Sequence, residues 1–287
     1  MKSIFGFFIM ITSLFGSTEI KVASYNVENL FDLKLNGGEY AEYTPNTSWQ
    51  WNKDNYRKKL KNISKVISDM NPDIIALQEV ESATALKDLK DELGRAGCYF
   101  KYSAIAAKNT TVKVAILSKY QISYSKDISV TSSRRNRSIL ETKIDINNHP
   151  LYVFTNHWKA KSGPESRRIV SAKALKKRLN EIGHENEIIL LGDFNSHYEE
   201  NITFIRSRKH NDTDGITGIN DILKTSPKYQ NESDSYYNLW YDLAQDNRWT
   251  HKFRGKKEAI DSIIISKGVN GWKKYRVRKG QFYKLLH

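Results

Sequence analysis

Residues 188–195 read IILLGDFN: four aliphatic side chains in succession, a glycine, then Asp193 and Asn195 on either side of a phenylalanine. A short apolar run rich in Ile reads as a buried strand. What stops it is a carboxylate and an amide, groups that are costly to leave without a partner in apolar surroundings. The same arrangement recurs outward along the chain. Segments 20–27, 74–79, 112–118, 151–157 and 259–266 also read as short strands, and most carry a polar group at or near one end: Asn26 in VASYN, Glu79 in IIALQE, His157 in YVFTNH, Asp261 in EAID. Two further segments have helical spacing: Leu60, Ile63, Val66, Ile67, Met70, and Ile169, Ala172, Leu175, Leu179, Ile182, with charges on the other faces. Strands alternating with amphipathic helices predict an α/β fold whose sheets are covered by helices. The 5 Pro and 15 Gly are scattered, with only Gly37 and Gly38 adjacent and no repeat or linker-like block, so a single domain is expected.

Any one of these polar residues reads as well as a loop group satisfied by backbone; together they read as a site. Ligands gather at strand ends in α/β sheets because the core fixes the backbone there while the loops leave room. Glu79, Asp193 and Asp261 with Asn26, Asn195 and His157 form an oxygen-rich set. Cys98 is the only cysteine, which excludes an internal disulfide and a thiolate cluster. Such donors suit Mg²⁺ or Mn²⁺, with Ca²⁺ as an alternative, better than zinc. They fit phosphoryl chemistry, in which a metal neutralises charge on the phosphate and a carboxylate orients or deprotonates water.

Charge points the same way. Lys and Arg number 46 against 32 acids, a net charge of +14 that becomes +13 if Lys2 is removed. An excess of that size suits a polyanion such as nucleic acid, or an anionic membrane surface. From Lys252 onward eleven Lys or Arg face only Glu258 and Asp261, interleaved with Trp272, Tyr275, Phe282 and Tyr283. That mixture serves to pair with phosphates and stack on bases, or else is a solvated basic surface. The first 18 residues, one Lys followed by an apolar stretch and small residues, have the layout of a signal peptide. Export to a secreted or periplasmic location is expected, with residues 19–287 as the domain and a monomer as the working state.

YNVENLF (25–31), LQEVES (77–82), TNHWKAK (155–161) and LLGDFN (190–195), in this order, resemble the endonuclease/exonuclease/phosphatase superfamily. Within it the chain looks like secreted bacterial nucleases related to pancreatic-type deoxyribonuclease. The resemblance implies two stacked mixed β-sheets flanked by helices, a four-layer sandwich with the site at one end. It implies Glu79 as principal metal ligand with Asn26 beside it, Asp193 positioning the water and Asn195 orienting the phosphate. His157 would bond a phosphate oxygen or act as general acid/base near its ordinary pKa. Trp158, Lys159, Lys161, Arg134, Arg135 and Arg137 are candidates for further phosphate contacts, with an exposed basic loop as the alternative. The expected function is a divalent-metal-dependent nuclease acting on DNA, with RNA as a further substrate. A phosphatase or phospholipase-C-type phosphoesterase, or a member that binds nucleic acid without cutting, are the alternatives.

One departure stands out. The resemblance makes Asp261 the partner of a histidine that arrives on a final strand in a Ser-Asp-His motif, yet the chain continues SKGVNGWKKYRVRKGQFYKLLH, with His287 preceded by two Leu. Full activity is therefore in doubt. A local substitute is a hairpin through RGKKE placing His251 across from Asp261, against a surface histidine with no role.

Overall fold

Burial on both faces is what makes these strands read as unbroken apolar runs. The computed structural model of the chain describes residues 5–13, 19–269, 275–278 and 283–284. Its strands, in chain order, are β1 (Phe5–Ser13), β2 (Glu19–Leu30), β3 (Ile74–Val80), β4 (Tyr102–Ile105), β5 (Lys113–Ser118), β6 (Gln121–Ile128), β7 (Ile139–Ile146), β8 (His149–His157), β9 (Ile188–Asp193), β10 (Tyr237–Asn238), β11 (His251–Phe253), β12 (Lys256–Glu258), β13 (Asp261–Ile265), β14 (Tyr275–Arg278) and β15 (Tyr283–Lys284). One sheet runs β14-β1-β2-β3-β5-β4 with β15 beside β1, the other β10-β13-β9-β8-β7-β6, and β11-β12 is a separate hairpin.

Side chains alternate between two cores along each strand. Val22, Ile74, Ala76, Val114 and Ile116 of the first sheet meet Leu151, Val153, Ile189, Leu191, Ile263 and Ile265 of the second. Ala23, Tyr25, Ile75, Leu77, Ala115 and Leu117 turn outward onto helices α1 (Lys53–Met70) and α2 (Ala83–Arg95). On the far side, Phe154, Ile188, Leu190 and Ile264 pack against Ala172, Leu175 and Leu179 of α3 (Ser166–Ile182). The result is the expected order of layers, helix, sheet, sheet, helix.

Among the elements that had no reading from sequence are β6, β7 and α2. In β7 the acid Glu141, fully buried, breaks the apolar pattern; the Arg178 guanidinium grips it with two bonds of 2.7 and 2.9 Å. Strand β6 is an edge strand with mostly exposed positions. Helix α2 is capped by Ser82, whose hydroxyl accepts from Ala85 N, and buries Leu86, Leu89 and Leu93.

Strand register brings the polar ends together. Parallel pairing of β8 with β9 sets His157 beside Asp193, and antiparallel pairing of β9 with β13 sets Asp261 on its other side. In the first sheet Asn26 pairs with Gln78, and the ladder shifts at Glu79, whose φ is 66°. Such a bulge re-aims the side chain. Gly192 has φ 134°, and a Cβ there would sit 2.0 Å from the Asn156 carbonyl oxygen, so only glycine lets β8 and β9 approach this closely.

The backbone of β1 pairs with β2 from Phe7–Ser24 to Thr12–Glu19. Residues 1–4 and 14–18, parts of the expected signal peptide, lie outside the described residues. So do 270–274, 279–282 and 285–287, which include Trp272, Phe282, His287 and the place where a Ser-Asp-His strand would be sought. Among the described residues no helix is long and apolar enough to cross a membrane.

Candidate active site

All six residues singled out by their place at strand ends line one cleft of 490 Å³: Asn26, Glu79, His157, Asp193, Asn195 and Asp261. Its centre is an amide between two carboxylates. Asn26 Nδ2 donates to Glu79 Oε1 at 3.1 Å and to Asp193 Oδ2 at 3.3 Å. The His157 Nε2 edge faces the same two oxygens, 3.9 Å from Glu79 and 3.8 Å from Asp193. Asn195 N donates to Asp193 Oδ1 at 2.8 Å, and the Asn195 amide donates to the Trp158 carbonyl at 3.2 Å. The tight turn with Asn195 at φ 48° thus fixes the second carboxylate from behind.

The electrostatics show a surplus of negative charge. Burial first, then the charges of Asp261 and Glu79, hold the Asp193 carboxyl well above the usual carboxylate range. Asp261 is likewise pushed up to about 7 by burial and by Glu79, although a Thr250 hydroxyl bond pulls the other way. A cleft that holds three carboxyls against their own repulsion fits a divalent cation, whose charge removes that repulsion. Glu79 is the residue placed to hold it. Asn26, expected beside it as a ligand, turns its amide nitrogen to the carboxylates because its oxygen accepts from Glu28 N, so it positions Glu79. Most of the coordination is left to water and phosphate oxygens, which suits a hard cation. Among the described residues no three His, Cys, Asp or Glu side chains form a ready-made metal cage.

His157 departs from expectation. Burial, Arg137 and Lys159 hold it well below the ordinary imidazole range, so it is neutral near pH 7 and not poised around its natural pKa. Among the described residues its buried Nδ1 has no hydrogen-bond partner. A proton on Nε2 therefore directs a neutral donor into the cleft.

The hairpin considered as a local substitute, with His251 across from Asp261, is not the register found. The turn at Arg254 and Gly255, both at positive φ, sets Phe253 opposite Lys256 and hence His251 opposite Glu258. Thr250 comes next, and its hydroxyl accepts from Ile260 N at 3.2 Å and Asp261 N at 3.3 Å. His251 lines the cleft, but from a different register. Of the weaker candidates, Trp158 is a core residue bonded to Asn156, and Lys161 is tied to Glu200 and Glu258 at 2.7 and 2.9 Å. Lys159 reaches the Arg135 carbonyl, Arg134 and Arg135 are exposed, and Arg137 lines the cleft. Sequence reading missed Tyr43, Lys59 and Thr250, which also line it. Lys59 was hidden among the charges of an amphipathic helix.

The profile of the Endonuclease/Exonuclease/phosphatase family matches residues 21–284. No curated protein sequence matches the chain significantly. Among solved structures, TDP2 from C. elegans is similar at 17% identity and a TM-score of 0.56, over 86% of this chain and 64% of that one, so the chain spans less than two thirds of that relative. An endonuclease/exonuclease/phosphatase family protein from Leptotrichia buccalis is 17% identical, with a TM-score of 0.55 over 86% of this chain and 87% of that one. D. rerio TDP2 complexed with a single strand DNA product is 15% identical, with a TM-score of 0.54 over 85% and 82%. At such identities these likenesses speak to the fold.

Proposed function

Since the chain belongs to the endonuclease/exonuclease/phosphatase family, whose members are hydrolytic phosphoesterases, we propose that it is an exported, divalent-metal-dependent nuclease hydrolysing phosphodiester bonds of DNA, and also of RNA, with little sequence preference. The observation that carries this reading is the cluster in which the Asn26 amide bonds Glu79 and Asp193 at 3.1 and 3.3 Å while His157 Nε2 lies 3.9 and 3.8 Å from the same two carboxylates. A net charge of +14 favours a polyanionic substrate over a small neutral one. The D. rerio relative was captured with single-stranded DNA, which supports the same substrate class.

Each group then has a task. A cation held by Glu79, which the Asn26 amide positions, would supply charge neutralisation at the phosphate. Asp193 has Oδ1 held from behind by Asn195 N, while Oδ2 faces the cleft beside the Asn26 amide and His157, so Oδ2 is the oxygen placed to take the proton of an attacking water. It does so in its ionised form, which positive charge in the cleft restores. His157 donates from Nε2 to a phosphate oxygen as a neutral imidazole, a contact that strengthens as charge builds there. Asp261, beside Asp193, keeps the cleft negative and has Thr250 as its local partner.

A plasmid-degradation assay tests the proposal. EDTA should stop cleavage, and Mg²⁺ or Mn²⁺ should restore it. Full restoration by zinc alone would argue against an oxygen-ligand site.

A further inference from the structure

The loop that carries Asn26 is conformationally expensive. Glu28 and Asn29 both lie in the left-handed region, at φ 51° and 64°, and neither is glycine. A side chain is strained in that conformation, so the surroundings must hold it. The Glu28 backbone is gripped on both sides: its N–H donates to Asn26 Oδ1 at 3.0 Å, and its carbonyl accepts from Lys59 Nζ at 2.9 Å. With Oδ1 engaged by Glu28, the Asn26 amide has its nitrogen turned toward Glu79 and Asp193.

Lys59 is unlike its neighbours on α1. Lys53, Arg57, Lys58, Lys61 and Lys65 are exposed, whereas Lys59 is half-buried and lines the cleft. Turning an ammonium inward carries a desolvation cost, which the Glu28 carbonyl and the negative cleft offset.

We propose that Lys59 is a positioning residue of the active site: through the Glu28 carbonyl it holds the left-handed loop and thereby orients the Asn26 amide at the metal-binding edge of the cleft. This rests on reading that cleft as a metal-dependent phosphodiesterase site. Groups that orient metal ligands from behind typically change metal affinity by roughly 10- to 100-fold when removed.

The test uses the full chain and three variants. Lys59→Met deletes the donor, Lys59→Gln keeps a donor too short to reach the carbonyl, and Lys59→Arg retains a long cation. Mn²⁺ binding is measured by titration calorimetry, the Asn26 side-chain amide is followed in the ¹⁵N spectrum, and the melting temperature is recorded alongside. Lys59→Met and Lys59→Gln should weaken Mn²⁺ binding by roughly 10- to 100-fold. They should also split or shift the Asn26 amide signal while leaving the melting temperature within a few degrees, and Lys59→Arg should restore both readouts. Unchanged Mn²⁺ affinity together with an unchanged Asn26 signal overturns the proposal. So does a loss of affinity that merely tracks a collapse of the melting temperature in both deleting variants. If the unmodified chain binds no Mn²⁺, the metal reading fails, and the Asn26 signal alone then decides the role of Lys59.

Discussion

Asp193 and Asp261 are neighbours across two strands, and each is raised by burial and by Glu79. For Asp261 the folded-state value of about 7 lies above the ordinary carboxylate value, so its contribution to stability is present at low pH and is lost as pH rises toward 7. Asp261→Asn should therefore raise the melting temperature of the EDTA-treated protein, and the advantage should grow from pH 5 to pH 8. An advantage that shrank over that range would mean that Asp261 is stabilised as an anion. His157 has the opposite displacement: held below its ordinary range, it is neutral throughout neutral pH. The pH–rate profile should consequently show no inflection of imidazole type between about pH 6 and pH 8, where an unperturbed histidine would titrate.

Secondary-structure elements deliver these residues, and their register does what sequence spacing alone does not reveal. Gly192→Ala would place a methyl group against the Asn156 carbonyl at a left-handed φ, costing ~3 kcal/mol or more. A fall in melting temperature of roughly 10 °C follows for a chain of this size. A fall of only a degree or two would show that β8 and β9 can separate without loss. Segment 188–193 was legible to the residue, because the strand is buried on both faces and stops on a charged group. The six cleft residues at strand ends were legible for the same reason. Strand β7 was not, since the guanidinium that neutralises Glu141 lies 37 residues away on α3. The bulge at Glu79 and the hairpin register were also hidden. Both depend on a backbone turn whose handedness a pattern of apolar residues does not encode. His251 illustrates the consequence: its distance along the chain from Asp261 suits a hairpin partner, but the tight turn at Arg254–Gly255 gives the place beside Asp261 to Thr250.

Over the whole molecule, the sandwich gathers strand ends from both sheets into one cleft, and the chain as a whole carries a large basic excess. If that excess serves nucleic acid, affinity for duplex DNA should drop at least ~10-fold between about 50 mM and 200 mM salt, because each neutralised phosphate releases condensed counterions. Affinity that stayed flat would assign the charge another use. If Asp261 acts without a histidine partner, cleavage should be slow beside a relative that has one, by roughly 10²- to 10⁴-fold. The central claim, that Glu79 anchors a metal-dependent phosphodiesterase site, is tested most directly by supercoiled-plasmid nicking in Mg²⁺ with the unmodified chain and with Glu79→Gln, each with and without EDTA. The account predicts slow nicking by the unmodified chain that EDTA abolishes, and a Glu79→Gln variant that folds normally but nicks no faster than the EDTA control. Equal nicking by the two proteins, or nicking that EDTA leaves untouched, would contradict it.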